Sequence, residues 1–258
     1  DRERETQAFI RPWIEREPAL WLAAQFAGDA RARAQFLALQ VLIRELLEAS
    51  VAVGDERVTA AKLGWWQDEA LLWQQGHGRH PLLQDVDGPV WGSALLQLLP
   101  ALAAWVQAPP PATLDQAWAS LRPMAAVLAG WPGAGNAQTE VWQGLGFAIA
   151  LRLSTQARAP LATVIPMDVW ARHGVRRSAV EGLTDAQRDA LLADCARRVP
   201  PWPNGRRQPA LSALVALEQR WLRLASSGRV RGRLGPTAAW TAWRAARRRS
   251  ATPGRPIL

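Results

Sequence analysis

An all-α fold is predicted by three observations. Apolar residues recur at three- and four-residue spacing through most of the 258 residues, and runs of alternating β-branched residues are nearly absent. The breaks between apolar stretches fall at capping residues, glycines and prolines, at helix-length intervals.

Taken in order, "ARARAQFLALQVLIRELLEASVAV" places Phe36, Leu39, Val41, Ile43, Leu46 and Leu47 as expected of a long, largely buried helix. The turn "VGDER" leads to a helix beginning near Thr59, with Trp66, Glu69, Ala70 and Trp73 at helical spacing and Asp68 on its polar side. His77 and His80 follow closely, ligand-type residues at the short spacing that a metal site needs. Gly76 and Gly78 break the helix and Pro81 drives His80 out of helical backbone space, so both histidines are placed on a turn. A third helix is expected from Pro89 to Ala108, closed by Pro109 to Pro111. "TLDQAWASLRPMAAVLAG" starts at a capping Thr113 and ends at Gly130, with Pro123 as kink or break.

"WPGAGN" reads as a loop; its "GAGN", Gly133 to Asn136, lacks the strand and lysine of a phosphate loop. "TEVWQGLGFAIALRLSTQA" is a buried helix whose Gly144 and Gly146 permit close packing. In "IPMDVWARHGV", Asp168 is expected to cap a helix and His173 to lie near its C-terminal end. "LTDAQRDALLADCARRV" carries a capping box, Thr184 with Gln187. "PALSALVALEQRWLRLASSG" and "PTAAWTAWRAARRR" complete the set. With no fixed-period repeat and no long linker, residues 1–236 read as one helical domain and 237–258 as a basic, Trp/Arg-rich helix or tail.

Composition narrows the function classes. At 49% hydrophobic content a large buried core is available. The absence of tyrosine, the 15 tryptophans and a single lysine (Lys62) among 31 basic residues read as a GC-rich genomic skew. One cysteine, Cys195, excludes an internal disulfide and a cysteine-built metal cage; it is expected buried and inert. The opening "DRERETQAFIRPW" has no apolar signal core, and a reduced, cytoplasmic setting is expected. Gly88 to Leu114 carries no charge over 27 residues, but Pro100 and the polar residues are expected to leave apolar pieces too short to span a bilayer, and a buried core helix is the expected reading.

Charge is unevenly placed. From Gln219 onward there are ten arginines and no acid, +10 of a total of +9, which leaves the body near −1. In "TAAWTAWRAARRR", Trp240 and Trp243 lie beside Arg244, Arg247 and Arg248, a pattern that suits an interfacial helix on an anionic membrane surface. Nucleic acid is the competing partner, though no recognised binding motif supports it. The plain alternative packs both tryptophans on the body.

The order "RARAQFLALQVLIREL", "LGWWQDEALLWQQGHGRHPL", "GLGFAIALRL", "IPMDVWARHGV" resembles the squalene/phytoene synthase family, head-to-head prenyl transferases of the isoprenoid synthase fold. The resemblance covers about Arg31 to Val175, with echoes at "EQRWLRL" and "AWTAWRAARR". Its most specific pieces are the Trp–x–x–Glu helix followed by His-Pro and the Pro-x-Asp segment ending in His-Gly-Val. The resemblance implies a helical bundle around a central cleft, where two aspartate-rich motifs hold magnesium ions on prenyl diphosphates. Carboxylates must converge for that task, because magnesium takes hard oxygen ligands.

Neither motif is intact. After Arg44 the text reads "ELLEASVAV": Glu45 and Glu48 are acidic, while Leu47, Ser50 and Val51 stand where aspartates are expected. From Val141 to Met167 there is no acid in 27 positions. "IPMDVWARHGV" is similar to a degenerate branch, the mitochondrial complex I assembly factors. The expectation is therefore a non-catalytic relative, without cofactor, that binds an isoprenoid-like lipid or a protein partner, in the cytoplasm or peripheral to the inner membrane. Arg44 and Arg152, at the two motif positions, are the candidate ligand contacts, with a surface or salt-bridged role as the alternative for Arg152. The competing enzyme reading is a divergent prenyl transferase with Mg on Glu45 and Glu48. A basic nucleic-acid adaptor is the third.

Overall fold

The computed structural model describes residues 2–51, 56–83, 86–132, 134, 137–156, 164–203, 208–229 and 237–247, which form helices joined by turns and loops, with no strand among them. Two helices form the centre. α3 (Ala30–Val51) is buried continuously from Phe36 to Arg44, and α8 (Thr139–Gln156) from Val141 to Leu151. They pack on each other, with α1, α2, α4 and α5 against α3 and α7, α10 and α11 against α8.

Before α3 come α1 (Arg2–Arg16) and the short α2 (Pro18–Ala24), the latter started by Pro18, whose fixed φ suits a first helical position. α4 (Glu56–Gln74) begins three residues before the expected Thr59. It pairs with α5 (Gly88–Gln107), opened by Asp87, whose side chain accepts the Val90 N–H. The two approach closely because Gly92 has no side chain: a Cβ there would lie 2.5 Å from the Gln74 nitrogen on α4. α5 is the buried core helix expected from Pro89 to Ala108, and Pro100 lies inside it without cutting its apolar length into the short pieces expected. The result is a 20-residue helix long and apolar enough to cross a membrane, whose stripe from Trp91 through Leu95, Leu98 and Leu102 to Trp105 faces the core.

Thr113 caps α6 (Leu114–Ser120) through the Gln116 N–H, and Pro123 marks a break into α7 (Arg122–Ala129). α7 packs on α8, where Gly144 receives the Trp202 ring; a Cβ there would fall 2.4 Å from it. α9 (Met167–Arg172) departs from expectation, since Asp168 makes no capping bond. Its Oδ2 instead accepts from Arg172, one turn on, and from both terminal nitrogens of Arg198. Those two guanidinium groups hold its carboxyl below the usual range against the opposing effect of burial. α10 (Asp185–Arg198) starts on the Thr184/Gln187 capping box and carries Cys195, buried with its thiol pushed up to about 12 by desolvation. α11 (Pro209–Ser226) packs on α10 and α2, and α12 (Thr237–Arg247) lies along α11 and touches α2.

Candidate functional site

The two arginines singled out from the sequence meet inside the bundle. Arg44 on α3 is fully buried and donates from Nε to Glu17 Oε2 at 2.7 Å; its Nη2 lies 3.5 Å from Glu218 Oε1 on α11. Arg152 on α8 pairs with Glu218 Oε2 and stacks its guanidinium 4.7 Å from the Trp221 ring. Gln40, one turn before Arg44, accepts from Arg44 Nη1 at 3.1 Å through both its backbone oxygen and Oε1. Two arginines thus face two carboxylates, and the cluster carries no formal net charge.

Burial dictates this pairing. A guanidinium keeps its charge at any ordinary pH, so in the interior it requires acids. Burial raises the Glu17 carboxyl, but the Arg44 charge and hydrogen bond, with Arg152 nearby, bring it below its ordinary value. Glu218 goes the other way: complete burial raises it, against the pull of Arg152 and Arg44. Glu17 and Glu218 were not identified from sequence. A signal existed for Glu218, an acid on the apolar stripe of α11 with Leu211, Leu214, Leu222 and Ala225.

Glu45 and Glu48 lie round the side of α3, away from this cluster, and face a groove bounded by α1 and α4. The groove consists of two adjoining cavities of about 580 and 220 Å³, both lined by Phe9 and the two glutamates. Glu45 Oε1 accepts the Trp13 indole N–H, and Glu48 Oε1 pairs with Arg16 at 2.9 Å. The Arg16 guanidinium also stacks 3.9 Å over the Trp13 ring, so α1 is fastened to α3 through both acids. Burial, helped by the like charge of Glu48, raises the Glu45 carboxyl above its usual range. Leu47 and Val51 are buried in the core, as is Leu153 on α8. These groups do not fit magnesium: one acid serves an indole and is pushed toward its neutral form, the other serves an arginine, Leu47 and Val51 offer only hydrocarbon, and the buried Ser50 hydroxyl donates to the Leu46 carbonyl. Among the described residues no cluster of three or more His, Cys, Asp or Glu could hold a metal.

The acid-and-histidine stretch on α4 is scaffold. Glu69 is buried and its Oε1 accepts the backbone N–H groups of Arg79 and His80, tying helix to turn, and Gly76 turns the chain at φ +77°. The His80 ring packs against Phe9, Trp65 and Trp66, its Nδ1 accepts the Leu82 N–H, and burial lowers its pKa to about 4. His173 Nε2 sits 3.3 Å from Asp194 Oδ2 on α10.

On α12 the buried residues are Ala238, Ala242 and Ala246, a small-residue seam against α11. At 100° per residue, Trp240, Trp243, Arg244 and Arg247 occupy an arc of about 100° opposite that seam. Trp240 is 56% and Trp243 37% exposed; their rings stack at 4.7 Å, and Arg247 lies 4.8 Å over Trp243. The alternative in which both rings pack on the body does not hold. Arg248 lies outside the described residues.

No family model matches the sequence, and no curated protein matches it. Among solved structures the chain is similar to a dehydrosqualene synthase in complex with ligand, at 11% sequence identity and a TM-score of 0.60, over 96% of this chain and 98% of that one. A likeness at that identity is one of fold. The chain has the all-α isoprenoid synthase fold, with a charge-neutral arginine–glutamate cluster linking α2, α3, α8 and α11.

Proposed function

We propose that the chain is a non-catalytic relative of the squalene/phytoene synthases, with an assembly-factor-like role, that binds an isoprenoid-like lipid or a protein partner at the membrane. The pairing of Arg44 and Arg152 with the chain's own carboxylates carries this reading. A prenyl diphosphate brings several negative charges, and a binding wall must offer uncompensated cations or metal ions to receive them. Here Glu17 and Glu218 already take the two arginines, and Leu47 and Val51 stand at the positions where metal-binding aspartates are expected. The employment of Glu45 and Glu48 by Trp13 and Arg16 supports the same reading.

Incubation with farnesyl or geranylgeranyl diphosphate and magnesium tests it. Both substrate and diphosphate should be recovered unchanged. Turnover that disappears in Glu48→Ala would overturn the proposal in favour of a divergent prenyl transferase.

A further inference from the structure

The proposed role at a membrane leaves open which side of the molecule meets it, and the geometry points to a docking face for an anionic phospholipid bilayer. We propose that this face is formed by the outer arc of α12 together with Trp21 of α2. The inference deepens the membrane part of the reading above and rests on observations separate from the interior cluster.

The 11 described residues of α12 are too few to cross a bilayer, so a bilayer contact made by them is along their length. The alanine seam fixes its roll, and Arg220 Nη2 donates to Thr237 Oγ1 at 2.6 Å, fastening its start to α11. The arc that remains outward bears two indoles and two guanidinium groups. Indole rings settle at the headgroup level, with the ring body in the apolar boundary and the N–H toward water. Arginine places its charge at the phosphates while its stem lies along apolar surface.

Outside the core, the charge on the described residues of α11 and α12 has one sign. α11 and α12 contain a single acid, Glu218, and it is spent inside the fold. Arg220, Arg223, Arg244 and Arg247 are the charged residues these helices leave outside the core. A surface of anionic headgroups is complementary to that set. α2, which α12 also touches, has no ionisable residue and exposes Trp21 at 47%. Trp21 borders a groove of about 670 Å³ shared with Arg4, Arg11 and Ile14 of α1, where Arg11 pairs with Glu15. A third indole with apolar and basic neighbours extends the same chemistry across the α2 end. A nucleic-acid duplex, whose bases are already paired and stacked, would use the arginines but gives no reason for stacked, solvent-facing indoles opposite an alanine seam.

The test is co-sedimentation of the full chain with vesicles of phosphatidylcholine alone and of phosphatidylcholine mixed with phosphatidylglycerol, at low and high salt. Binding is expected to the mixed vesicles only and to fall with salt. Arg244→Gln/Arg247→Gln should weaken it by about 30-fold, on the basis of about fivefold per arginine near an anionic surface. Trp240→Ala/Trp243→Ala should weaken it at both salt concentrations, and Trp21→Ala should weaken it by several-fold. All these positions are exposed, and unchanged circular dichroism would confirm intact variants. Wild-type binding by either double variant overturns the face, and wild-type binding by Trp21→Ala removes α2 from it. Preferential capture of mixed-sequence duplex DNA, insensitive to the tryptophan changes, would assign the arginines to nucleic acid. Failure of the wild type to bind any vesicle overturns the docking face without touching the prenyl diphosphate result, which reads the interior independently.

Discussion

Arginine is used in two opposite ways in this molecule. Inside, Arg44 and Arg152 are locked to Glu17 and Glu218 between helices. On α12, Arg244 and Arg247 lie beside stacked indoles with no acid on their helix. The difference teaches what burial does to a permanent cation. In the interior each guanidinium needs its own carboxylate and loses its availability to a ligand; at the surface water supplies the solvation, and the charge stays open to a partner.

The largest test of this contrast is Glu218→Gln. It preserves shape but removes the buried carboxylate that Arg152 and Arg44 share, and urea denaturation at pH 7 should show a loss of about 3–5 kcal/mol. A neutral result would break the comparison, since the inner arginines would then not depend on their acids.

His80 sharpens it from another side, as a buried basic group that can give up its charge. Its folded pKa of about 4 lies below the ordinary 6.5, so the unfolded chain binds the proton first as pH falls. The contribution is full above 6.5, declines as pH drops through the window, and is gone below the folded value. Between pH 7 and 5 it should cost about 2 kcal/mol, and His80→Leu should flatten that part of the stability profile.

Smaller effects belong to exposed groups. The Arg16–Glu48 pair is 40% and 33% exposed, so Glu48→Ala should cost about 0.2–1 kcal/mol, with the loss reduced by salt. Trp240→Ala should change thermal stability by no more than about 0.5 kcal/mol. A loss several times larger would mean that the indole supports the fold, and the α12 side of the contrast would fail.

Much of the fold was legible in sequence because the signals are local. Thr113, the Thr184/Gln187 box and the apolar spacing from Phe36 to Leu47 each act within a few residues. The helix expected from Pro89 to Ala108 is there as α5, although its apolar length is not cut at Pro100; the same locality misled at Asp168, where Arg198, thirty residues on, competes with the cap. The candidate site was half legible. Arg44 and Arg152 stood out by position, but their partners lie 27 and 66 residues away, and no periodicity in one segment shows which acid another will bury.

Lys62 offers an experimental handle. It is exposed on α4 at the rim of the groove that Glu45 and Glu48 share, and it is the single lysine of the sequence. Amine-directed reagents therefore have one side chain to find, so a fluorophore or cross-linker coupled there would watch this groove without any engineered cysteine. Enzymatic acylation of lysine, too, would have one address on this chain, within reach of the contacts that fasten α1 to α3.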